Sequence, residues 1–179
     1  MIGANEDLKA LVRTVADFPK PGIQFRDITT LLLDGDGFAD TIERLADSVG
    51  ERPDVVAAIE ARGFVVGAAL AARLGCGLLL IRKDGKLPGK TIAEDYALEY
   101  GEDRLTMHVD ACAPGANVLL VDDLIATGGT ALAAARLVRR AGGEIGQARF
   151  VIDLPELGGA EALRAEGIVV ESLMAFEGG

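Results

Sequence analysis

Apolar residues in this chain follow two patterns, short continuous runs and positions at helical spacing. The continuous runs predict strands that are buried on both faces, as in parallel sheets, over residues 55–59, 78–81, 118–121, 148–152 and 168–170. The helical spacing predicts helices over residues 6–15, 38–49, 64–74, 130–141 and 160–165. Because strands and helices alternate, the chain is predicted to be an α/β protein with a mostly parallel central sheet flanked by helices.

A single domain accounts for the whole chain. The 179 residues contain no internal repeat and no linker, and a chain of this length can build one hydrophobic core. Hydrophobic residues make up 50% of the chain and charged residues 26%, a balance that excludes disorder for most of it. We therefore expect one domain over residues 1–179.

Residues 83–107 depart from the alternation of strands and helices. This segment is polar and mixed in charge, and it is longer than an ordinary connection between elements. Segments of this kind act as lids or form exposed β-hairpins, and a mobile hairpin can do both. Residues 106–109 fit one strand of such a hairpin.

Charge and composition exclude several classes of function. The net charge of −10 disfavours nucleic acid and anionic membrane surfaces as partners. The longest uncharged stretch, residues 124–135, is too short to span a bilayer. Because His108 is the single histidine, sites that need two imidazoles are excluded, and zinc has too few soft ligands.

The N-terminal residues and the cysteines predict a cytoplasmic protein. The first residues lack the basic and then apolar profile of a signal peptide. Cys76 and Cys112 lie in different contexts, and we expect both to be reduced and packed as small apolar residues.

The most informative stretch, VLLVDDLIATGGT at residues 118–130, combines a buried strand, two carboxylates and a glycine turn before a helix. In parallel sheets, ligands bind beyond the carboxyl ends of the strands, where a helix N-terminus offers N–H groups to a phosphate. Gly128 and Gly129 let the backbone approach phosphate oxygens, and Thr127 and Thr130 can add hydroxyl donors. The turn has neither the Gly-Lys-Ser/Thr ending of a P-loop nor the three spaced glycines of a dinucleotide-binding turn.

The two adjacent carboxylates narrow the class of ligand. Asp122 and Asp123 would repel a phosphate unless they accept hydrogen bonds from hydroxyls or stand near Mg²⁺. A ribose 5′-phosphate meets both demands, with its phosphate on the turn and its 2′- and 3′-hydroxyls on the carboxylates. The alternative is an acidic strand end and a capped helix without a ligand.

The stretch VDDLIATGGT at residues 121–130 resembles the phosphoribosyl pyrophosphate-binding motif of the type I phosphoribosyltransferases. Four further stretches are similar to those of the adenine-specific members of this family: DFPKPGIQFRDIT at residues 17–29, ARGF at 61–64, IRKDGKLPG at 81–89 and YALEYG at 96–101. All of them occur in the family's order, and the resemblance covers residues 11–176. One departure is Ala61, where the family often has a serine, so one hydroxyl beside Arg62 is lost.

The resemblance implies a fold and a reaction. In the implied fold, residues 1–35 contribute to a small N-terminal hood that binds the base, and residues 83–107 form a flexible hairpin that serves as the lid. The implied reaction transfers the phosphoribosyl group of phosphoribosyl pyrophosphate to adenine N9 and gives AMP and pyrophosphate. The resemblance further implies Mg²⁺ that is carried by the substrate, with no separate protein metal site, and a homodimer.

Roles for individual residues also follow from the resemblance. The 5′-phosphate would be bound by the turn of Ala126, Thr127, Gly128, Gly129 and Thr130, and the ribose by Asp122 and Asp123. The pyrophosphate would be bound by Arg62 and by the basic cluster of Arg82, Lys83 and Lys86, and adenine by Gln24, Phe25, Arg26 and Leu154. Glu99 would pair with the N7 side of the purine and act as a catalytic residue beside Arg62 and the two aspartates.

Several of these residues also have an ordinary structural interpretation. Arg62 could form a salt bridge with Glu60 or another carboxylate, and the basic cluster could be a solvated part of a hairpin. Phe25 could pack in the core, which is the usual position of phenylalanine, and Glu99 could be a solvated carboxylate.

Two other functions fit parts of the pattern. A non-catalytic regulator could keep the phosphoribosyl-binding fold, but it would need a surface for nucleic acid, against which the acidic balance argues. A related transferase could use guanine, xanthine or a pyrimidine, because base choice depends on a few contacts near residues 24–26 and 154.

Overall fold

The computed structural model of the chain describes residues 5–97 and 102–178. Its helices are α1 (Glu6–Lys9), α2 (Thr29–Leu33), α3 (Gly35–Ser48), α4 (Arg62–Leu74), α5 (Gly129–Arg140) and α6 (Gly159–Ala165), with a 3₁₀ turn at Pro155–Leu157. Its strands are β1 (Arg13–Ala16), β2 (Gln24–Asp27), β3 (Val55–Ile59), β4 (Gly77–Lys83), β5 (Thr91–Ala97), β6 (Glu102–His108), β7 (Asn117–Ile125), β8 (Glu144–Asp153) and β9 (Val169–Ala175). Within the described residues, no helix has the length and apolar character that crossing a bilayer requires.

Seven strands form the central sheet in the order β5–β6–β4–β3–β7–β8–β9. The pairs from β4 to β9 are parallel, whereas β6 and β5 are antiparallel additions at one edge. This confirms the mostly parallel sheet. The antiparallel edge is a β-hairpin within residues 83–107, as one interpretation of that segment predicted.

A second, two-stranded sheet stands apart from the central sheet. β1 and β2 pair antiparallel, with Val15 opposite Phe25. The predicted helix over residues 6–15 is therefore wrong beyond Lys9, because the backbone of residues 13–16 joins this ladder instead. Val15 is 36% exposed, so it takes no part in an apolar helix face.

The two faces of the central sheet pack against different helices. One hydrophobic cluster includes Leu120 and Phe150 and lies under α5 and α6. The other includes Leu70 and Val121 and lies under α3 and α4. Burial on both faces agrees with the continuous apolar runs of β3, β7 and β8. The prediction of burial on both faces is wrong for the run at residues 78–81 in β4, where two leucines remain exposed.

β7 is longer than the sequence predicted, and this extension determines where the acidic pair lies. The strand continues through Asp122 to Ile125, and Asp122 pairs with Phe150 of β8. The carboxylates therefore belong to the end of a strand in the middle of the sheet. They lie at the carboxyl edge, where α/β sheets bind ligands.

Candidate active site

The turn at residues 126–130 is held between β7 and α6 by close backbone contacts. Gly128 has φ of +84° and begins α5 as its N-cap. The N–H of Gly159 donates to the carbonyl of Ala126 at 2.9 Å. A Cβ on Gly128 would lie 2.9 Å from the Cα of Gly159, so the two glycines allow this approach. The turn presents the N-terminus of a 12-residue helix to the cavity beside it.

We expect Gly128→Ala to lower the free energy of unfolding by about 2–3 kcal/mol, because it combines a strained backbone with a steric overlap. Thermal or chemical unfolding measures this loss. Gly35→Ala is the matched control, since its Cβ meets nothing within 4 Å and its φ lies outside the left-handed region. An equal loss in both variants would contradict the role given to the Gly128–Gly159 contact.

The two carboxylates of the acidic pair line the same cavity, Asp123 buried and Asp122 half-buried. Asp123 is 5% exposed, and its N–H donates to Oδ1 of Asp122 at 2.8 Å. Burial, together with the neighbouring charge of Asp123, raises the pKa of Asp122 well above its usual range. Gly63 of α4 allows this packing, because a Cβ there would lie 2.5 Å from Oδ1 of Asp122.

Arg62, the first residue of α4, joins the acidic pair to an aromatic ring. Its Nε lies 2.7 Å from Oδ2 of Asp123, and its Cζ lies 5.1 Å from the centroid of the Phe25 ring. The guanidinium therefore forms the salt bridge that the structural interpretation predicted, with the carboxylate of Asp123 and not with that of Glu60. Oδ2 of Asp123 is buried and accepts no hydrogen bond of good geometry from the described residues.

These groups line a polar cavity of about 390 Å³. Arg62, Lys83, the acidic pair and the whole turn from Ala126 to Thr130 contribute to its wall. The structure thus brings together the residues predicted to bind the phosphate and the ribose with two of those predicted to bind pyrophosphate.

Two residues of the basic cluster, Arg82 and Lys83, form ion pairs near this cavity. Nε of Arg82 donates to Oε2 of Glu60 at 2.8 Å, and its Nη1 donates to the carbonyl of Lys86 at 3.0 Å. Nζ of Lys83 lies 2.9 Å from Oδ2 of Asp103. The side chain of Lys86 is exposed beside them.

Sequence reasoning gave no role in ligand binding to Glu60, Tyr96 and Asp103, which also line this cavity. The hydroxyl of Tyr96 donates to Oδ2 of Asp103 at 3.2 Å, across the β5–β6 hairpin. The hydrogen bond from Lys83 lowers the pKa of Asp103. The pairing of strands brings these side chains to the cavity, and no local motif in the sequence signals that pairing.

A second, largely apolar cavity of about 500 Å³ adjoins the first. Its wall includes Gln24, Phe25 and Arg26 of β2 and, across from them, Leu154 and Leu157. All four residues predicted to bind adenine therefore line one cavity, together with Leu157, for which the sequence offered no signal. The two cavities share Arg62, Leu124, Ala126 and Thr127 in their walls.

One predicted site residue cannot be placed. Glu99 lies outside the described residues. Its role as a partner of the base stays a prediction.

Comparison with known proteins identifies the family. A profile of the phosphoribosyl transferase domain matches residues 29–162. The adenine phosphoribosyltransferase of Erythrobacter litoralis is 62% identical over 174 residues, which cover 97% of this chain and 98% of that protein. The crystal structure of adenine phosphoribosyltransferase from Thermoanaerobacter pseudethanolicus superposes with a TM-score of 0.92 at 46% identity, covering 96% of this chain and 99% of that one.

A third comparison concerns a liganded structure. The adenine phosphoribosyltransferase of Saccharomyces cerevisiae, complexed with an imino-altritol bisphosphate and adenine, superposes with a TM-score of 0.86 at 34% identity, covering 94% of this chain and 97% of that one. Identity of this level over nearly the whole chain, together with the two adjoining cavities, establishes the relationship. The chain belongs to the type I phosphoribosyltransferase family, among its adenine phosphoribosyltransferases.

Proposed function

We propose that this chain transfers the 5-phosphoribosyl group of phosphoribosyl pyrophosphate to N9 of adenine, with the residues of the two cavities in the roles described below. The observation that carries the assignment of roles is that the polar and apolar cavities meet at Arg62, Leu124, Ala126 and Thr127. A sugar phosphate in the first cavity and a flat base in the second would meet at this junction. The sugar carbon that exchanges pyrophosphate for the base belongs there.

The turn from Ala126 to Thr130 binds the 5′-phosphate. Backbone N–H groups at the start of α5 and the hydroxyls of Thr127 and Thr130 provide its donors. Because this contact is remote from the reacting carbon, its binding energy orients that carbon for reaction.

Asp122 and Asp123 accept hydrogen bonds from the ribose 2′- and 3′-hydroxyls. Oδ2 of Asp123 faces Nε of Arg62 at 2.7 Å, and a carboxylate oxygen can accept a second hydrogen bond from a ribose hydroxyl. The negative potential of the pair also stabilises positive charge that develops on the sugar ring as pyrophosphate leaves.

Phosphoribosyltransferases generally use Mg²⁺ together with phosphoribosyl pyrophosphate, and the residues here fit that use. Among the described residues, no group of three or more His, Cys, Asp or Glu side chains could hold a metal ion. An ion held mainly by substrate oxygens needs only one or two carboxylates, and Asp122 and Asp123 are suitably placed. When bound, Mg²⁺ would neutralise charge on the leaving pyrophosphate.

Cations at the other side of the polar cavity bind the pyrophosphate. Arg62 provides a planar fork that can hold two phosphate oxygens, and Lys83 provides a point charge. Arg82 joins the set when phosphate oxygens replace Glu60 as its partner, and the exposed side chain of Lys86 completes it. A lid drawn from residues 83–107 would keep water from the activated sugar. Leu105 and Met107 of β6 are buried in the core and take no part in its movement.

Adenine lies between Phe25 and Leu154 in the apolar cavity. The Phe25 ring offers one stacking face, and Leu154 offers the other. Backbone groups at Gln24 and Arg26 recognise the base edge, and Glu99 stabilises charge on the base as N9 attacks.

Turnover with a panel of bases tests the function. Phosphoribosyl pyrophosphate and Mg²⁺ are offered with adenine, guanine, hypoxanthine or xanthine, and the nucleotide is identified by chromatography. We expect AMP from adenine and little product from the other bases. Preference for another base would overturn the base-pocket assignment, and binding of the sugar pyrophosphate without turnover would favour the regulator.

A homodimer is also part of the proposal. β3 pairs with β4 so that Leu78 lies opposite Val56 and Leu80 opposite Ala58, which places both leucines on the sheet face that α4 covers at β3. Leu78 and Leu80 are nevertheless 41% and 38% exposed, and Val65 of α4 beside them is 44% exposed. A second copy of the chain would cover this uncovered apolar face.

We expect Leu80→Asp to convert the dimer to a monomer at micromolar concentration, because a charge would be buried in an apolar interface. Light scattering coupled to gel filtration measures the mass. Val169→Asp is the matched control, because Val169 is 56% exposed and lies on β9 at the opposite edge of the sheet. A parent protein that is monomeric, or a Leu80→Asp variant that stays dimeric, would contradict this interface.

A further inference from the structure

The base cavity is built between two parts of the chain that no strand pairing connects. One wall is β2, which belongs to the two-stranded sheet, and the other is the segment Leu154 to Leu157 after β8. Within the described residues, neither β1 nor β2 pairs with a strand of the central sheet. Contacts outside the strand ladders therefore contribute to the distance between the two walls.

Residues 176–178 contact both walls. Nη2 of Arg26 on β2 donates to the carbonyls of Glu177 at 2.7 Å and Gly178 at 3.3 Å, and its Cζ lies 4.8 Å from the centroid of the Phe176 ring. On the other side, the N–H of Gly178 donates to Oε2 of Glu156 at 3.2 Å. Glu156 belongs to the 3₁₀ turn whose Leu157 lines the cavity.

The bridge is also anchored to the central sheet. The N–H of Phe176 donates to the carbonyl of Asp153 at 3.0 Å, one residue before Leu154. Successive side chains of a strand point to opposite sides, so Arg26 can reach residues 176–178 while Phe25 faces the cavity. Nη1 of Arg26 further donates to Oγ1 of Thr14 at 2.7 Å, which ties β1 to the same bridge.

We propose that residues 176–178 form a clamp that sets the width of the base cavity, with Arg26 and Glu156 as the positioning residues at its two ends. The inference rests on the proposed function, because it names what fixes the geometry of the adenine site. A flat base gains dispersion energy from both walls only when both are in contact, and a gap of 0.5–1 Å forfeits about a quarter to a half of each contact. The clamp therefore affects base binding and leaves the phosphate site, on the far side of Arg62, unchanged.

The test separates the two substrates in steady-state kinetics of the full chain. We expect Glu156→Ala and Arg26→Gln each to raise KM for adenine about five- to tenfold, with KM for phosphoribosyl pyrophosphate and kcat changed less than about twofold. A purely structural role would change both KM values and kcat together. Glu161→Ala is the matched control, because Glu161 is 77% exposed on α6 and pairs only with Arg164 among the contacts described.

A double variant sharpens the test. If the bridge acts as one unit, either single substitution already removes most of its effect on the cavity. The double variant will then have a KM for adenine close to that of the more affected single variant. Multiplicative effects on KM, or equal effects on both substrates, would overturn the clamp. Should the parent protein make no AMP, the proposed function fails. Adenine binding measured by calorimetry for the parent, the two single variants, the double variant and the control still tests the clamp.

Discussion

Replacing Arg62 with methionine is expected to lower kcat/KM for phosphoribosyl pyrophosphate about 100- to 1000-fold. Arg62 lines both cavities and stands between the acidic pair and the Phe25 ring, so its charge lies at the junction where the bond to pyrophosphate breaks. Methionine keeps most of the apolar stem but removes the charge and the donors. The substitution also leaves Asp123 without its cation, so we expect a lower melting temperature as well.

Arg62→Lys separates the effect of Arg62 on turnover from its effect on stability. Lysine keeps a cation near Oδ2 of Asp123 but cannot hold two phosphate oxygens with one planar group. We expect a melting temperature near that of the parent and a loss of kcat/KM of about tenfold or more. Full activity of Arg62→Lys would show that only the ion pair with Asp123 matters. Arg73→Met on the same helix is the control, because Arg73 pairs with Glu43 at the surface.

β3, β7 and β8 were predictable because most of their residues are buried on both faces, which gives a continuous apolar run in the sequence. The apolar run of β4 has another origin, because Leu78 and Leu80 remain 41% and 38% exposed. β1 was missed because its four residues are all exposed and carry neither a run nor an alternation. The apolar spacing of residues 8, 11 and 12 is real, but it belongs to α1 and the turn after it. Val15 continued that spacing by coincidence, and strand pairing with Phe25 decided its conformation.

The parts of the site that could be predicted are the parts that are local in sequence. The acidic pair and the glycine turn occupy nine consecutive residues, 122–130, so their chemistry and their position at a strand end are visible together. The partners of the cations are not local, because Arg62 meets Asp123 and Lys83 meets Asp103 only through the fold. The same holds for Leu157 and for the bridge between Arg26 and Glu156.

Several expectations rest on the sequence and the family alone. The role of Glu99, the movement of the lid, the cytoplasmic location and the exclusion of nucleic acid as a partner stay predictions.

We expect Asp122→Asn to lower turnover and to raise stability, and this is the second large effect. Burial and the adjacent Asp123 raise the pKa of Asp122, so the neutral carboxyl is favoured more in the folded state than in the unfolded state. The free energy of unfolding contributed by this group is therefore greatest at low pH and falls as the pH rises above the ordinary value of 3.8. Asparagine is neutral at every pH, and its Oδ1 can still accept from the N–H of Asp123.

At pH 7–8 we expect Asp122→Asn to raise the free energy of unfolding by about 1 kcal/mol, and the gain to shrink toward pH 4. Over the same range kcat should fall about 100- to 1000-fold, because one acceptor of the ribose hydroxyls and one charge facing the sugar ring are lost. Unfolding at several pH values and steady-state kinetics measure the two effects, with exposed Asp110→Asn as the control. Loss of both stability and turnover would indicate a structural carboxylate. A variant that gains stability and loses activity would show that the charge of Asp122 is needed for the reaction and destabilises the folded state.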